Sequence, residues 1–135
     1  MGKARSRTVV LDAGALIAFE RGDGRMRALV REAVKTGARL VIPAGALAQA
    51  WRGTARQAPL RALVKGPTSV VPALDQVVAE AAGVLCGRTG TSDVVDASVV
   101  LVARRERALV VTSDADDLRR LDPPLPLEPI YQGPI

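Results

Sequence analysis

The chain has no histidine, one cysteine and three aromatic residues, and each shortage narrows what it can do. Without histidine there is no Ser-His-Asp or Cys-His machinery and no imidazole-ligated zinc. Any metal must be held by oxygen, which selects hard ions such as Mg²⁺ or Mn²⁺. Cys86 has no partner for an internal disulfide, so a reducing, cytoplasmic setting is expected. It lies in an apolar helical segment and reads as a buried core thiol. Phe19, Trp51 and Tyr131 make up 2% of the chain, too few for platforms that stack unpaired bases.

Long apolar runs are also missing, so no membrane span is expected. Lys3, Arg5 and Arg7 ahead of an apolar run imitate a signal peptide, but Asp12 and Gly14 interrupt the run and no cleavage site follows. Met1-Gly2 with Ser6 is too short a match to a myristoylation pattern to carry weight. Lysine is scarce as well: Lys3, Lys35 and Lys65 are the only lysines among 19 basic residues. The net charge of +5 is therefore mostly arginine, whose planar fork suits phosphate. A polyanionic partner fits this balance, and a simple solvated surface fits it too.

What is present is aliphatic. At 48% apolar, 135 residues form one domain, 1–135, large enough to bury its own core of Val, Leu, Ile and Ala. Thr8–Asp12 reads as a strand and Gly14–Phe19 as a short helix, with Gly22 and Gly24 turning the chain. Arg25–Lys35 has helical periodicity and stops at Gly37. Arg39–Ile42 is a second strand, and Pro43 opens a helix expected to run to about Arg56. Pro59–Lys65 is another helical piece, and Ser69–Val71 a third strand. Asp75–Leu85 is expected to be amphipathic, with Val77, Val78, Ala81, Ala82 and Leu85 on one side. Gly87–Thr91 reads as a loop, after which Ser92 or Asp93 caps a helix reaching Arg107. Leu109–Thr112 is a fourth strand, Asp116–Arg120 a helical turn, and Leu127–Tyr131 a short edge strand. Alternating strands and helices predict an α/β domain, its mostly parallel central sheet flanked by helices on both faces.

The chemistry lies in carboxylates. Asp12 ends an apolar strand, where open α/β sheets form ligand crevices, and a charge there needs a cation, donors or water. Asp93 and Asp96 are three apart on a helix, with Cβ atoms about 5–6 Å apart. Asp93 is either a cap or a site residue. Asp96 lies among Val94, Val95, Ala97, Val99, Val100 and Leu101, where an unpaired charge is expensive, which favours function. Asp114 ends the fourth strand and has a second reading as a helix cap, with Asp116 and Asp117 in the turn behind it. Together these groups would repel one another unless a cation sat among them.

Three stretches then resemble one family. Val10-Leu11-Asp12-Ala13-Gly14-Ala15-Leu16-Ile17-Ala18, Asp96-Ala97-Ser98-Val99-Val100-Leu101-Val102-Ala103 and Val110-Val111-Thr112-Ser113-Asp114-Ala115-Asp116-Asp117-Leu118 are similar to a PIN-domain protein, most closely a VapC-type toxin of a type II toxin–antitoxin pair. The resemblance spans most of the chain in the family's order. It implies a single PIN-like domain and a Mg²⁺- or Mn²⁺-dependent endoribonuclease. Asp12, Asp96 and Asp114 would be catalytic and metal-holding, with Asp93 and Asp117 as further metal candidates. Thr112 would support the strand-four carboxylate. The attacking water would be activated by metal and carboxylate. A cognate VapB-like antitoxin and a homodimer are implied partners, with RNA as substrate.

One position departs from the family, which usually has Glu on the helix after strand two. Here it is Gln49, whose amide oxygen still accepts a hydrogen bond but carries no charge and takes no proton. A weaker or differently tuned site is expected, with Asp93 supplying part of the missing charge. The rival is a PIN-like module that binds nucleic acid or protein without cutting. A phospho-accepting receiver domain is disfavoured, because the three lysines are wrongly placed. For partner contacts, Gln49–Lys65 is expected to expose Trp51, Arg52, Leu60 and Leu63; Trp51 has an equal reading as core.

Overall fold

A computed structural model describes residues 7–130. The N-terminal residues Met1–Ser6 and the Tyr131 end of the last expected strand lie outside the described residues. Five strands, β1 (Thr8–Leu11), β2 (Arg39–Val41), β3 (Ser69–Val70), β4 (Leu109–Thr112) and β5 (Leu127–Pro129), form one sheet in the order β3-β2-β1-β4-β5. Every pairing is parallel. The helices are α1 (Ala13–Glu20), α2 (Gly24–Lys35), α3 (Ala44–Ala50), α4 (Ala58–Val64), α5 (Gln76–Thr89), α6 (Val94–Glu106) and α7 (Ala115–Leu121).

The strands are apolar on both sides, and their period of two deals the side chains to two cores. Val9, Leu11, Leu40, Ile42 and Val111 meet Leu16, Phe19, Met26, Val30 and Leu60 of α1, α2 and α4 on one face. Val10, Val41 and Val110 meet Ala82, Cys86, Val99, Val100 and Leu118 of α5, α6 and α7 on the other. Each fully buried Leu or Val contributes roughly 1.5–3 kcal/mol, so this two-sided burial carries the fold without aromatics. Helix α3 gives Ala50 to the first core and Ala46 to the second, which places it across the end of the sheet. Cys86 is buried and unpaired, as its apolar surroundings predict. No helix among the described residues is long and apolar enough to cross a membrane.

The chain winds outward through β1, β2 and β3, then returns to lay β4 on the other side of β1. The winding of the chain therefore reverses between β1 and β4, with Leu11 paired to Val111, and the loops leaving these two parallel strands part at their carboxyl ends.

Several boundaries and faces differ from expectation. Helix α3 stops at Ala50, because Trp51 is extended (φ −78°, ψ 131°) and Gly53 takes φ +72°; a 3-10 turn at Ala55–Gln57 then leads into α4. Only Gly tolerates that positive φ without strain. Leu60 and Leu63 are buried rather than displayed, because α4 turns them into the first core. Helix α5 runs through Gly87 to Thr89, and Gly90, left-handed at φ +75°, ends it. Its buried stripe is Ala82 and Cys86; Val77 and Val84 face outward, and Ala81 is exposed too. Helix α7 is longer than the expected turn.

Candidate metal centre at the ends of β1 and β4

Asp12 follows β1 directly and is only 2% exposed. Its Oδ1 accepts a hydrogen bond from the Ala15 amide at 2.8 Å, capping α1. Its Oδ2 is the one buried side-chain oxygen or nitrogen without a hydrogen-bond partner among the described residues. Capping thus explains one oxygen and leaves the other unexplained. Burial pushes the Asp12 carboxyl above its ordinary range, and the Asp114 charge adds to the rise; the Thr112 hydroxyl beside it and the Ala15 amide pull the other way.

Across the strand pair, Thr112 is wholly buried at the end of β4. Its Oγ1 accepts from the Asp114 amide at 2.7 Å. Thr112 therefore fixes the backbone that carries Asp114, and makes no hydrogen bond to the Asp114 carboxylate. Asp114 occupies the N-cap position of α7 but its side chain makes no capping hydrogen bond. Its exposed carboxyl is raised by partial burial, by Asp117 and by Asp93. Asp117 is exposed on the first turn of α7, where it touches the cluster through its field on Asp114.

Helix α6 supplies the other pair. Asp93 caps it, its Oδ1 accepting from the Asp96 amide at 2.9 Å. Asp96 is half-buried rather than enclosed, because Val94 beside it is 50% exposed. Burial first, then the charges of Asp93, Asp114 and Asp12, push the Asp96 carboxyl up to about 7. The ends of the paired strands β1 and β4 and the start of α6 thus bring Asp12, Asp114, Asp93 and Asp96 near enough to act on one another, and they form one acidic crevice. For Asp12, Asp96 and Asp114 the net direction is the same: deprotonation is opposed until a positive charge arrives.

Small residues let these elements approach. A Cβ at Gly14 would overlap Ser113, so α1 lies directly against the loop that holds Asp114. At Gly45, α3 packs on Val95 and Ser98 of α6. Ser98 is buried and donates to Val95 O at 2.6 Å.

The donor set fits a hard divalent cation. No three Asp, Glu, Cys or His side chains among the described residues are close enough to enclose an ion by themselves. Mg²⁺ does not require that, since it keeps several waters and takes one or two carboxylates. The orphaned Asp12 Oδ2 and the shared acidity of its neighbours are what such an ion would relieve.

The remaining expected residues lie apart. Gln49 is exposed and makes no hydrogen bond to the carboxylates; it lines a neighbouring cleft of about 550 Å³ with Glu20, Arg21, Arg52, Arg56 and Gln57. Trp51 is half-buried against the first core, with the Arg61 guanidinium 5.4 Å from its ring centre. Arg52 is exposed, its Nη1 donating to Trp51 O at 2.7 Å. Sequence reasoning missed Gln57, which is 3% exposed and builds this region. Its Oε1 accepts from the Arg52 and Gly53 amides (2.7 and 3.0 Å), and its Nε2 donates to Ala50 O (2.8 Å) and to Glu20. Nothing in the pattern marked it, because it falls in the short gap between the helix expected to end near Arg56 and the piece that starts at Pro59.

Residues 9–123 match the sequence profile of the PIN domain. No curated protein matches the chain. Among solved structures, the fold is similar to a chain of VapBC2 from Rickettsia felis, crystallised bound to a DNA fragment from their promoter. That similarity has a TM-score of 0.68 at 15% identity and covers 92% of this chain and 99% of the other. It is also similar to a chain of FitAB bound to the IR36 DNA fragment, with a TM-score of 0.64 at 11% identity, covering 93% and 99%.

Proposed function

The chain belongs to the PIN-domain family, and from that premise we propose that it is a divalent-metal-dependent endoribonuclease, the toxin of a VapBC-type pair. PIN domains are generally nucleases, which supports a hydrolase acting on nucleic acid. The observation that carries the reading is the buried, unpartnered Asp12 Oδ2 at the end of β1, within the field of Asp96 and Asp114.

In this reading Asp12, Asp96 and Asp114 would hold Mg²⁺ or Mn²⁺, one or two of them directly and the rest through water, with Asp93 and Asp117 adding negative charge at the rim. When bound, the ion lowers the pKa of a water and offsets charge developing on the phosphate. The chain's own residues keep the carboxylates where they are needed. Ala15 orients Asp12, Thr112 fixes the Asp114 backbone, and Asp93 caps the helix that carries Asp96. With no histidine, a carboxylate is the one side chain in the crevice able to take the proton of the attacking water. Cytoplasmic residence, a homodimer and a VapB-like antitoxin belong to the same reading. The names VapBC2 and FitAB of the structural neighbours support a paired partner.

The test is Asp96→Asn. The neutral isostere relieves carboxylate repulsion, so the protein should fold and should lose RNA cleavage in Mg²⁺ or Mn²⁺ by at least two orders of magnitude. Wild-type activity in this variant would refute the assignment. The second reading, a module that binds without cutting, is favoured by Gln49, which stands exposed and unattached to the acids. Calorimetry separates the two: a working site gives a Mn²⁺ binding heat that disappears in Asp12→Asn, and a module without one gives none.

A further inference from the structure

We propose that the arginine-lined cleft between α1 and the Trp51–Gln57 segment binds the sugar-phosphate backbone of a single-stranded RNA substrate beside the acidic crevice; this rests on the nuclease reading above. A crevice of four carboxylates repels a polyanion, so the attraction that brings RNA there must be supplied from another surface. The cleft supplies it. Arg21, Arg52 and Arg56 line its walls, and among the described residues none of them forms an ion pair. The single acid in the lining, Glu20, is taken by the Gln57 side-chain amide.

The cleft is built rather than incidental. Gln57 is buried, and through two backbone amides and one carbonyl it fixes the turn that carries Arg52. Arg52 is further tied to the end of α3 through Trp51 O. A guanidinium whose backbone is already ordered loses less entropy when it meets a phosphate.

Its position is also right. Helix α1 starts beside Asp12 and ends at Glu20 in the cleft wall, a rise of about 12 Å over eight residues. A strand cut at Asp12 would therefore reach these arginines with phosphates only a few nucleotides from the cut. Arginine presents five donors in a fork that matches phosphate. A protein segment would find less to hold, since the apolar lining is limited to Ile17, Ala50 and Ala55.

The experiment uses the full chain carrying Asp96→Asn, so that RNA is bound without being cut, and a fluorescein-labelled single-stranded oligoribonucleotide read by anisotropy. Adding Arg21→Gln, Arg52→Gln and Arg56→Gln should weaken binding by about 10-fold or more at 0.1 M salt, and should make the log–log salt slope shallower by about 2, near 0.7 per lost phosphate contact. A control triple, Arg31→Gln, Lys35→Gln and Arg88→Gln, removes the same charge from other exposed positions and should change the slope far less. Equal loss in both triples means non-specific charge and overturns the proposal. Unchanged affinity in the cleft triple also overturns it and leaves the cleft to a protein partner. Cleavage by the chain without Asp96→Asn is scored separately. RNA bound through the cleft but never cut removes the nuclease reading and leaves the cleft assignment standing. RNA that is cut with a KM indifferent to the triple does the reverse.

Discussion

Gly14 and Ser113 are in such close apposition that a Cβ built on Gly14 would lie 2.7 Å from the Ser113 Cβ and nearer still to its hydroxyl. The start of α1 and the β4–α7 loop therefore meet through a residue without a side chain, and Asp12 and Asp114 are spaced by that contact.

Gly14→Ala should accordingly destabilise the protein. Helix propensity alone would favour Ala by about 0.5–1 kcal/mol. Overpacking against Ser113 costs about 1–3 kcal/mol and should win. The displaced loop carries Asp114, so cleavage should fall more than stability does. Gly45→Ala is the contrast: its Cβ would meet Val95 and Ser98 at 3.5–3.7 Å, ordinary contact. It should be neutral or stabilising. Thermal melts of the two variants, with Gly14→Ala/Ser113→Gly as partial rescue, check both expectations.

Stability of the metal-free protein should fall as pH rises. Folded Asp96 titrates near 7 against an ordinary value of 3.8. Between about pH 4 and 7 the folded state holds a proton that the unfolded state has released, so the slope of unfolding free energy with pH is negative. Asp12 and Asp114 are raised as well and act in the same direction. Because Asp96 is half-buried, solvent screening keeps the effect modest; a Tm roughly 3–6 °C lower at pH 8 than at pH 5 is expected. Saturating Mn²⁺ should raise Tm at pH 8 more than at pH 5, and Asp96→Asn should flatten the profile. A Tm that rises steadily from pH 5 to pH 8 without metal would contradict the shared-charge account of the crevice.

The strands and the acids were legible because their determinants are local. An apolar run ending in Asp states both where β1 stops and what stands at its end, and the same holds for β4 and Asp114. Parallel pairing then follows from the helices between strands, and the shared sheet edge from the pairing. What was not legible depends on contacts between distant segments. The break after Ala50 is fixed by Gln57 reaching back to the Arg52 and Gly53 amides, and no periodicity encodes that. The outward turn of Val77 and Val84 is similar, since the spacing of apolar residues on α5 does not say which of them α6 covers. Gln49 matched a family position by order along the chain, while its side chain points to the arginine cleft.

Gln57→Ala should be among the more damaging polar substitutions in the chain. It removes the partners of two backbone amides and a carbonyl in a region where Gln57 itself is shielded from water. Unsatisfied buried groups cost about 1–3 kcal/mol each, relieved in part by local opening to solvent, so a net loss of about 2–4 kcal/mol is expected. The Arg52–Gly53 amides should also lose hydrogen-exchange protection first. A melt within 1–2 °C of wild type would mean that the segment is held by something else.

Trp51 bears on the partner that a VapBC-type assignment requires. Its ring is half-buried, backed by the first core and overlain by Arg61 at 5.4 Å, so one face is structural and the rest is open to contact. Aromatic anchors of this kind, rigid and already seated, are enriched at binding hot spots. The acids offer a second element of recognition, because an antitoxin Arg or Lys reaching Asp12, Asp96 and Asp114 would supply the positive charge they lack. Trp51→Ala should therefore weaken antitoxin binding by at least 10-fold, about 1.4 kcal/mol, while changing cleavage less. Its core contacts mean that Tm will drop as well, so both activities are to be compared on the folded fraction at a temperature well below the transition. Asp96→Asn provides the complementary measurement: it should weaken binding of an antitoxin that docks a basic side chain there, with Trp51 untouched. Sedimentation of the purified chain at tens of micromolar should show a dimer. If the antitoxin binds Trp51→Ala as tightly as wild type, Trp51 belongs to the core alone and the contact surface lies elsewhere.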